Sequence, residues 1–136
     1  MTLTVQALES VTYKHGVTMA FRHLYRTALK TVQYSSPSRY VIRWVLRSAF
    51  RKGIDVDFDP RRIVNTLHFL ENASQPGSLE RKILKTLTMV RYWQQPHIAC
   101  NAPMIIGRIP RPQSIGARQF NRTLHLLNES MNLCLK

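Results

Sequence analysis

Acidic residues are scarce in this sequence. Its 136 residues include 7 Asp and Glu against 20 Lys and Arg, which gives a formal net charge of +13. The acids lie mostly in a predicted linker and at predicted helix starts, so no pair of carboxylates suited to general acid–base catalysis can be nominated. So large an excess of positive charge indicates acidic partners rather than a particular fold.

Other marks of catalytic and metal-binding proteins are missing as well. Cys100 and Cys134 form no Cys-x-x-Cys motif, which argues against a disulfide scaffold and a structural zinc site. The 5 His form no His-Glu-x-x-His motif, and neither a Gly-x-Ser-x-Gly elbow nor a P-loop occurs. No apolar run approaches the roughly 18 residues of a membrane span. We therefore expect a protein with two free thiols that is not an enzyme and binds no metal.

Apolar residues make up 44% of the chain, which is sufficient for a globular core, and their spacing is helical. Leu24, Ala28 and Val32 recur every four residues, which predicts a first helix over about residues 17–32. We expect Gly16 to precede that helix, because glycine is unfavourable inside a helix.

A second helix is predicted over about residues 38–52, after a turn formed by Ser35, Ser36 and Pro37. We expect Trp44 to lie in the core, where its indole N–H needs an acceptor. The apolar stripe of this helix consists of Val41, Trp44, Val45, Ser48 and Ala49.

Asp59 and Pro60 predict the start of a third helix, with Asp59 as the N-cap and Pro60 at the first helical position. Asp55, Asp57 and Asp59 alternate as calcium ligands do, but the spacing lacks the Gly and the closing Glu of an EF-hand loop. Helix capping is therefore the preferred interpretation. The predicted core face consists of Ile63, Val64, Leu67 and Leu70.

Pro76 and Gly77 interrupt this third helix, because both are poor interior helix residues. The pattern resumes after Ser78, a plausible N-cap, and ends near Trp93, so either a broken third helix or two successive helices are expected. For His68, beside the core face, we expect a structural role. The resumed stripe consists of Leu79, Ile83, Leu87 and Val90.

Positive charge is concentrated in residues 21–52, which contain eight basic residues and no acid. Four arginines of the second helix are spaced four apart and form one row: Arg39, Arg43, Arg47 and Arg51. Like charges at this spacing cost about 0.2–0.5 kcal/mol per pair, and no acid in this stretch relieves the cost. Solvation alone is one interpretation of the row, and an acidic partner, either a carboxylate-rich helix or phosphates, explains it better.

These residues carry a family resemblance. The tripeptide Leu24-Tyr25-Arg26 near the start of a first helix, followed by an Arg-rich second helix that reaches Phe50, resembles the LYR-motif family of small mitochondrial proteins. The resemblance covers about residues 17–93. It implies an all-α fold, an antiparallel three-helix bundle. In this chain the third helix would be interrupted near Pro76-Gly77, and an extended basic C-terminal arm and a terminal helix would follow the bundle.

The resemblance also implies a function in the mitochondrial matrix or on the matrix face of the inner membrane. Members bind the mitochondrial acyl carrier protein, whose acyl-phosphopantetheine chain enters between the helices, and the protein has no cofactor of its own. The residues that would bind the carrier protein are Leu24, Tyr25, Arg26, Arg39, Arg43, Arg47, Phe50 and Arg51. Those expected along the acyl-chain seam are Phe21, Leu24, Ala28, Val45, Ala49, Ile63 and Leu67.

Three regions are expected: an N-terminal extension over 1–16, the LYR-type helical domain over 17–95, and a tail over 96–136. The extension holds one Lys and one Glu, which is poor in Arg for a mitochondrial presequence, so a cleaved presequence is not expected. The tail begins as an extended, Pro-rich arm and returns to helical periodicity from about Ser114. Its terminal helix either packs back on the domain or docks elsewhere. Arg108, Arg111, Arg118 and Arg122 are the candidate contacts to nucleic-acid phosphates.

The expected function is a non-catalytic adaptor that holds acyl carrier protein on a large mitochondrial complex, as an assembly factor or accessory subunit. The mitochondrial ribosome is slightly favoured over the respiratory complexes, because the basic tail suits RNA. Two alternatives remain. One is an rRNA-binding component of the mitochondrial ribosome that does not bind carrier protein, and the other is an assembly factor for respiratory-chain or iron–sulfur proteins.

Overall fold

A computed structural model describes residues 4–52, 58–94 and 115–135. Over these ranges the regular structure is entirely helical and includes no strand, so the expected all-α class is confirmed. The helices are α1 (Val5–Glu9), α2 (Tyr13–Thr31), α3 (Ser38–Lys52), α4 (Pro60–Ala73), α5 (Leu79–Gln94) and α6 (Ile115–Met131). None of these helices is both long enough and apolar enough to cross a bilayer.

Helices α4 and α5 begin at the predicted caps. The Asp59 carboxylate accepts hydrogen bonds from the backbone N–H groups of Arg61 and Arg62, at 2.9 and 3.4 Å, and Pro60 occupies the first turn. The Ser78 hydroxyl accepts from the backbone N–H of Arg81 at 3.2 Å. These side chains satisfy N–H groups that have no partner inside the helix.

The predicted interruption separates α4 from α5. Gly77 has a φ of 86°, a left-handed conformation that a residue with a Cβ atom rarely adopts. Helices α2 and α5 each pack against both α3 and α4, and the short α1 packs on α2 and α4. Four long helices therefore surround the core, and the more specific expectation of a three-helix bundle is not confirmed.

The core lies between these four helices, and two predicted stripes point into it. Leu24 and Ala28 of α2 are buried, as expected from their spacing. On α4 the predicted face is also buried: Ile63, Val64, Leu67 and Leu70.

Two predictions about α2 and α3 are wrong. Trp44 is not in the core, since 49% of its surface is exposed and the buried positions of α3 are Val41 and Ile42. Gly16 does not precede α2 but lies within it and is buried. A Cβ atom on Gly16 would lie 3.4 Å from the carbonyl oxygen of Leu8, so the glycine lets α1 approach α2 closely.

The predicted core face of α5 is only partly correct: Leu87 is buried and Ile83 and Val90 are half-buried, but Leu79 is not part of the core. Leu79 is 71% exposed, whereas the buried residues are Leu84, Leu87 and Thr88. The apolar residues of this helix are spread around it, so tertiary contacts rather than the helix's own pattern select the buried face.

The terminal helix packs back on the domain, which was one of the two alternatives. Leu124 of α6 is buried in the core. The chain then turns at Asn132, whose φ is 52°, and the N–H of Leu133 donates to the Asn128 carbonyl at 2.8 Å. Leu133 and Leu135 are buried beyond this turn.

Polar contacts hold this C-terminal segment (residues 132–135). The Asn128 side chain accepts from the N–H of Leu135 at 3.1 Å and donates to its carbonyl at 2.7 Å. The Thr66 hydroxyl of α4 accepts from the N–H of Cys134 at 3.1 Å, and Asn65 donates to the Asn132 carbonyl at 3.3 Å. The segment is therefore an integral part of the core.

Candidate functional site

An aromatic cluster joins α2 to α3. The rings of Phe21 and Tyr25 are stacked at 5.9 Å, and Phe21 meets Phe50 edge to face at 5.3 Å. Because successive residues of a helix point in different directions, Leu24 is buried, Tyr25 is half-buried and Arg26 is exposed. The fold thus brings together Tyr25 and Phe50, two predicted carrier-binding residues that are far apart in the sequence.

The two helices that form this cluster also carry a series of exposed cations. Arg22, Arg26 and Lys30 follow one another at four-residue spacing on α2 and are exposed. On α3 the predicted row is exposed as well: Arg39, Arg43, Arg47 and Arg51. No carboxylate in the described ranges forms an ion pair with any of these seven residues. The Arg39 guanidinium instead donates to the Tyr40 hydroxyl at 2.7 Å and lies 4.7 Å from the centre of its ring.

Behind the cluster, a cavity of about 210 Å³ is lined by residues of α2, α3, α4 and α5 and by the C-terminal segment. Its walls are mainly aliphatic. Of the predicted seam residues, Leu24, Ala28, Val45, Ala49 and Ile63 line it, whereas Phe21 and Leu67 do not. For comparison, an apolar cavity of about 150 Å³ in another protein binds benzene.

Two arginines line this cavity, and their surroundings differ. Arg62 lies 3.7 Å from the Asp59 carboxylate and 3.4 Å from the Glu129 carboxylate. Arg91 of α5 forms no ion pair in the described part of the chain; its Nη1 donates to the side-chain oxygens of Gln94, at 2.7 Å, and Asn121, at 3.4 Å. Burial lowers the pKa of the Arg91 guanidinium below its ordinary value, because the charged form is partly desolvated.

A second groove, between α3 and α5, adjoins the cavity. Arg91, Val45 and Ala49 line both spaces, and Trp44 and Lys52 line the groove alone. The Trp44 side chain is therefore placed at a surface groove beside two cations instead of in the core.

Of the four arginines predicted to bind nucleic acid, the two that the structure describes do not line the cavity. Arg118 and Arg122 are exposed on α6, and Arg108 and Arg111 lie outside the described residues. His68 is exposed, with its Nδ1 atom 3.6 Å from the Glu71 carboxylate. Within the described ranges, no three His, Cys, Asp or Glu side chains are grouped closely enough to hold a metal ion.

Sequence reasoning missed Arg91. Leu84, Leu87, Thr88 and Arg91 have the i, i+3, i+4, i+7 spacing of one helix face, and all four line the cavity. Two of the four are polar, so a search for apolar stripes passes over the pattern. The sequence does contain a signal for Arg91, namely this spacing, but it is visible only when polar and apolar residues are counted together.

Comparisons of this chain with protein-family models, with curated proteins and with solved structures find no match. Functional interpretation therefore depends on the residues and geometry described above.

Proposed function

We propose that this chain is a non-catalytic adaptor of the mitochondrial matrix that binds acyl carrier protein through α2 and α3. The observation that carries the proposal is the set of exposed cations on the two helices of the Phe21–Tyr25–Phe50 cluster, none of which forms an ion pair within the described ranges. An acidic helix and a phosphopantetheine phosphate are partners that such a surface would favour, because charge-assisted hydrogen bonds to phosphate are strong. The resemblance of Leu24-Tyr25-Arg26 to the LYR motif supports carrier protein as that partner.

The apolar cavity supports the second half of the proposal, in which the acyl chain of the carrier protein enters between the helices. Leu24 faces the cavity while Arg26 faces solvent two residues later. A carrier protein docked on Arg26 would thus be one helix thickness away from an aliphatic space. Each methylene group buried there contributes about 0.8 kcal/mol.

Co-purification tests carrier-protein binding. The double reversal Arg26→Glu/Arg47→Glu removes two cations of the surface and introduces repulsion, so we expect loss of carrier protein with unchanged helicity by circular dichroism. The matched control is Arg118→Glu/Arg122→Glu, which makes the same charge change on α6 and should retain carrier protein. Retention by the Arg26/Arg47 variant would refute the assignment.

Melting temperatures test the acyl chain. The complex with long-chain acyl carrier protein should melt higher than the complex with unacylated carrier protein. In Ala49→Phe, which fills part of the cavity, this difference should shrink. Equal melting temperatures for the two wild-type complexes would count against an acyl chain in the cavity.

As the client of the adaptor we propose the mitochondrial ribosome, with the protein as an assembly factor or accessory subunit. Arg118 and Arg122 favour RNA, since they are exposed, four residues apart on α6 and without a carboxylate partner in the described ranges. Replacing both by alanine should reduce the log–log salt slope of client binding by about 0.7–0.9 for each RNA phosphate that the protein no longer neutralises. An unchanged slope would favour the alternative client, a respiratory-chain or iron–sulfur protein. RNA binding without co-purifying carrier protein would favour the rRNA-binding alternative.

A further inference from the structure

Arg91 lies on the core-facing side of α5, where the neighbouring positions carry uncharged side chains. It continues the face of Leu84, Leu87 and Thr88, which are all buried. Thr88 satisfies its hydroxyl within the helix, at 3.0 Å from the Leu84 carbonyl and 2.9 Å from the Lys85 carbonyl. Arg91 is half-buried, and a charge removed from water is costly unless an opposite charge accompanies it.

The N–H groups of Arg91 that have no acceptor within the described residues indicate which chemical group would balance its charge. Both of its hydrogen bonds leave from Nη1 and end on neutral amides, of Gln94 and Asn121. Within the described residues, Nη2 and Nε donate to no acceptor. Two parallel N–H groups on a planar guanidinium match the two oxygens of a carboxylate. Arg62, which lines the same cavity, already has two carboxylates and needs no further anion.

We propose that the cavity binds a free long-chain fatty acid, with its carboxylate on Arg91 and its alkyl chain along the aliphatic wall. An amphipathic anion uses both features, because an uncharged chain fills the aliphatic space without compensating Arg91 and a small anion compensates Arg91 without filling the space. Lys52, in the adjoining groove, adds positive charge on the side from which the carboxylate would enter. This goes beyond carrier-protein binding, because a carrier-bound chain ends in a thioester and has no carboxylate.

Titration of the delipidated full-length chain with palmitate and with hexadecanol tests the proposal, with binding followed by calorimetry. The two probes share the alkyl chain and differ in the head group. We expect palmitate to bind at least about 10-fold more tightly, since a charge-assisted contact adds about 10- to 100-fold in affinity. Equal affinities for the two probes, or no binding of palmitate, would overturn the proposal.

Arg91→Gln identifies the residue responsible. This variant should lose about 10- to 100-fold in palmitate affinity while hexadecanol binds as before. The matched control is Arg81→Gln, which removes the same charge from the same helix at a position that does not line the cavity, and it should bind both probes like the wild type. An Arg91→Gln variant that still prefers palmitate to the wild-type degree would contradict the assignment.

Two further variants keep the test decisive. Arg91→Lys retains the charge but not the two-pronged geometry, so its preference for palmitate should fall between wild type and Arg91→Gln; if Arg91→Gln does not fold, a wild-type preference in Arg91→Lys would refute the role of the guanidinium. Arg26→Glu/Arg47→Glu should bind palmitate normally. Because no carrier protein is present, failure here leaves the carrier-protein proposal untouched, and failure of that proposal leaves this one standing.

Discussion

The two sides of the molecule treat charge differently. In the basic hairpin, which is formed by α2 and α3, nine exposed Lys and Arg side chains lack a carboxylate partner in the described ranges. On the C-terminal face, which is formed by α4, α6 and residues 132–135, Arg62 contacts two carboxylates and His68 contacts a third. Charge is thus balanced where α4 meets α6, whereas the hairpin cations, like Arg118 and Arg122 elsewhere on α6, have no carboxylate partner in the described ranges. Within the described residues, the hairpin cations therefore add no ion pair to the fold, and this is why we propose an external acidic partner for them.

The largest effect is expected from the packing of the C-terminal face. Leu133 is 2% exposed and Leu126, on the preceding helix, is 60% exposed. We expect Leu133→Ala to lower the free energy of unfolding by about 2–5 kcal/mol. Leu126→Ala should change it by less than about 0.5 kcal/mol. Urea unfolding of both variants measures the difference, and equal effects would mean that residues 132–135 are not part of the core.

The hydrogen bonds of the C-terminal segment should contribute less to the free energy of unfolding than the burial of Leu133 does. Thr66→Val keeps the shape of the side chain but removes the acceptor of the Cys134 N–H, which should cost about 1–3 kcal/mol. The control is Thr27→Val in the basic hairpin, where the hydroxyl donates only to the His23 carbonyl of its own helix. A cost for Thr27→Val as large as that for Thr66→Val would show that the cross-chain hydrogen bond adds nothing.

A helix cap gives the next effect. Asp59→Ala removes the N-cap of α4 and one carboxylate of Arg62, and it should cost about 0.5–2 kcal/mol. Asp59→Asn retains a capping oxygen and loses only the charge, so most of the stability should return. Thermal melting compares the two, and equal losses would assign the effect to the ion pair instead of the cap.

The smallest expected effect is a gain in stability, whereas the preceding substitutions lower it. Arg43 has Arg39 and Arg47 one helical turn away on either side, so Arg43→Gln removes two like-charge pairs and should raise stability by about 0.4–1 kcal/mol at low salt. Arg62→Gln should lower it, because two carboxylates lose their partner. At 1 M salt the Debye length is about 3 Å, and the gain in Arg43→Gln should vanish. A loss of stability in Arg43→Gln would mean that the hairpin cations do stabilise the fold.

Local signals in the sequence predicted the starts of α4 and α5 and the buried face of α2, but not α1 or the first turn of α2. Asp59, Pro60 and Ser78 predicted helix starts because capping depends on residues only two or three positions away. Leu24 and Ala28 predicted the core face of α2 because its apolar residues fall on one side.

Features that depend on tertiary packing were not predictable in the same way. Glycine is unfavourable inside a helix, yet Gly16 lies inside α2 because the close approach of α1 favours a small residue at that position. Trp44 has the hydrophobicity of a core residue, but the buried face of α3 is centred on smaller side chains. Arg91 is visible as a site only after the fold places α5 against the cavity, and whether α6 packs back could not be decided from its own periodicity.

The C-terminal segment also affects when the chain can fold during its synthesis. The core draws on Leu8 and also on Leu133 and Leu135, so it cannot close during translation until residue 135 has been made and has left the ribosome. Synthesis proceeds at about 5–20 residues per second, and until residues 133–135 have been added the core and the cavity lack part of their apolar lining. A chain that stops before Leu133 would expose apolar surface permanently, which makes it a substrate for chaperones and proteases. We therefore expect residues 133–135 to decide whether a newly made chain escapes them.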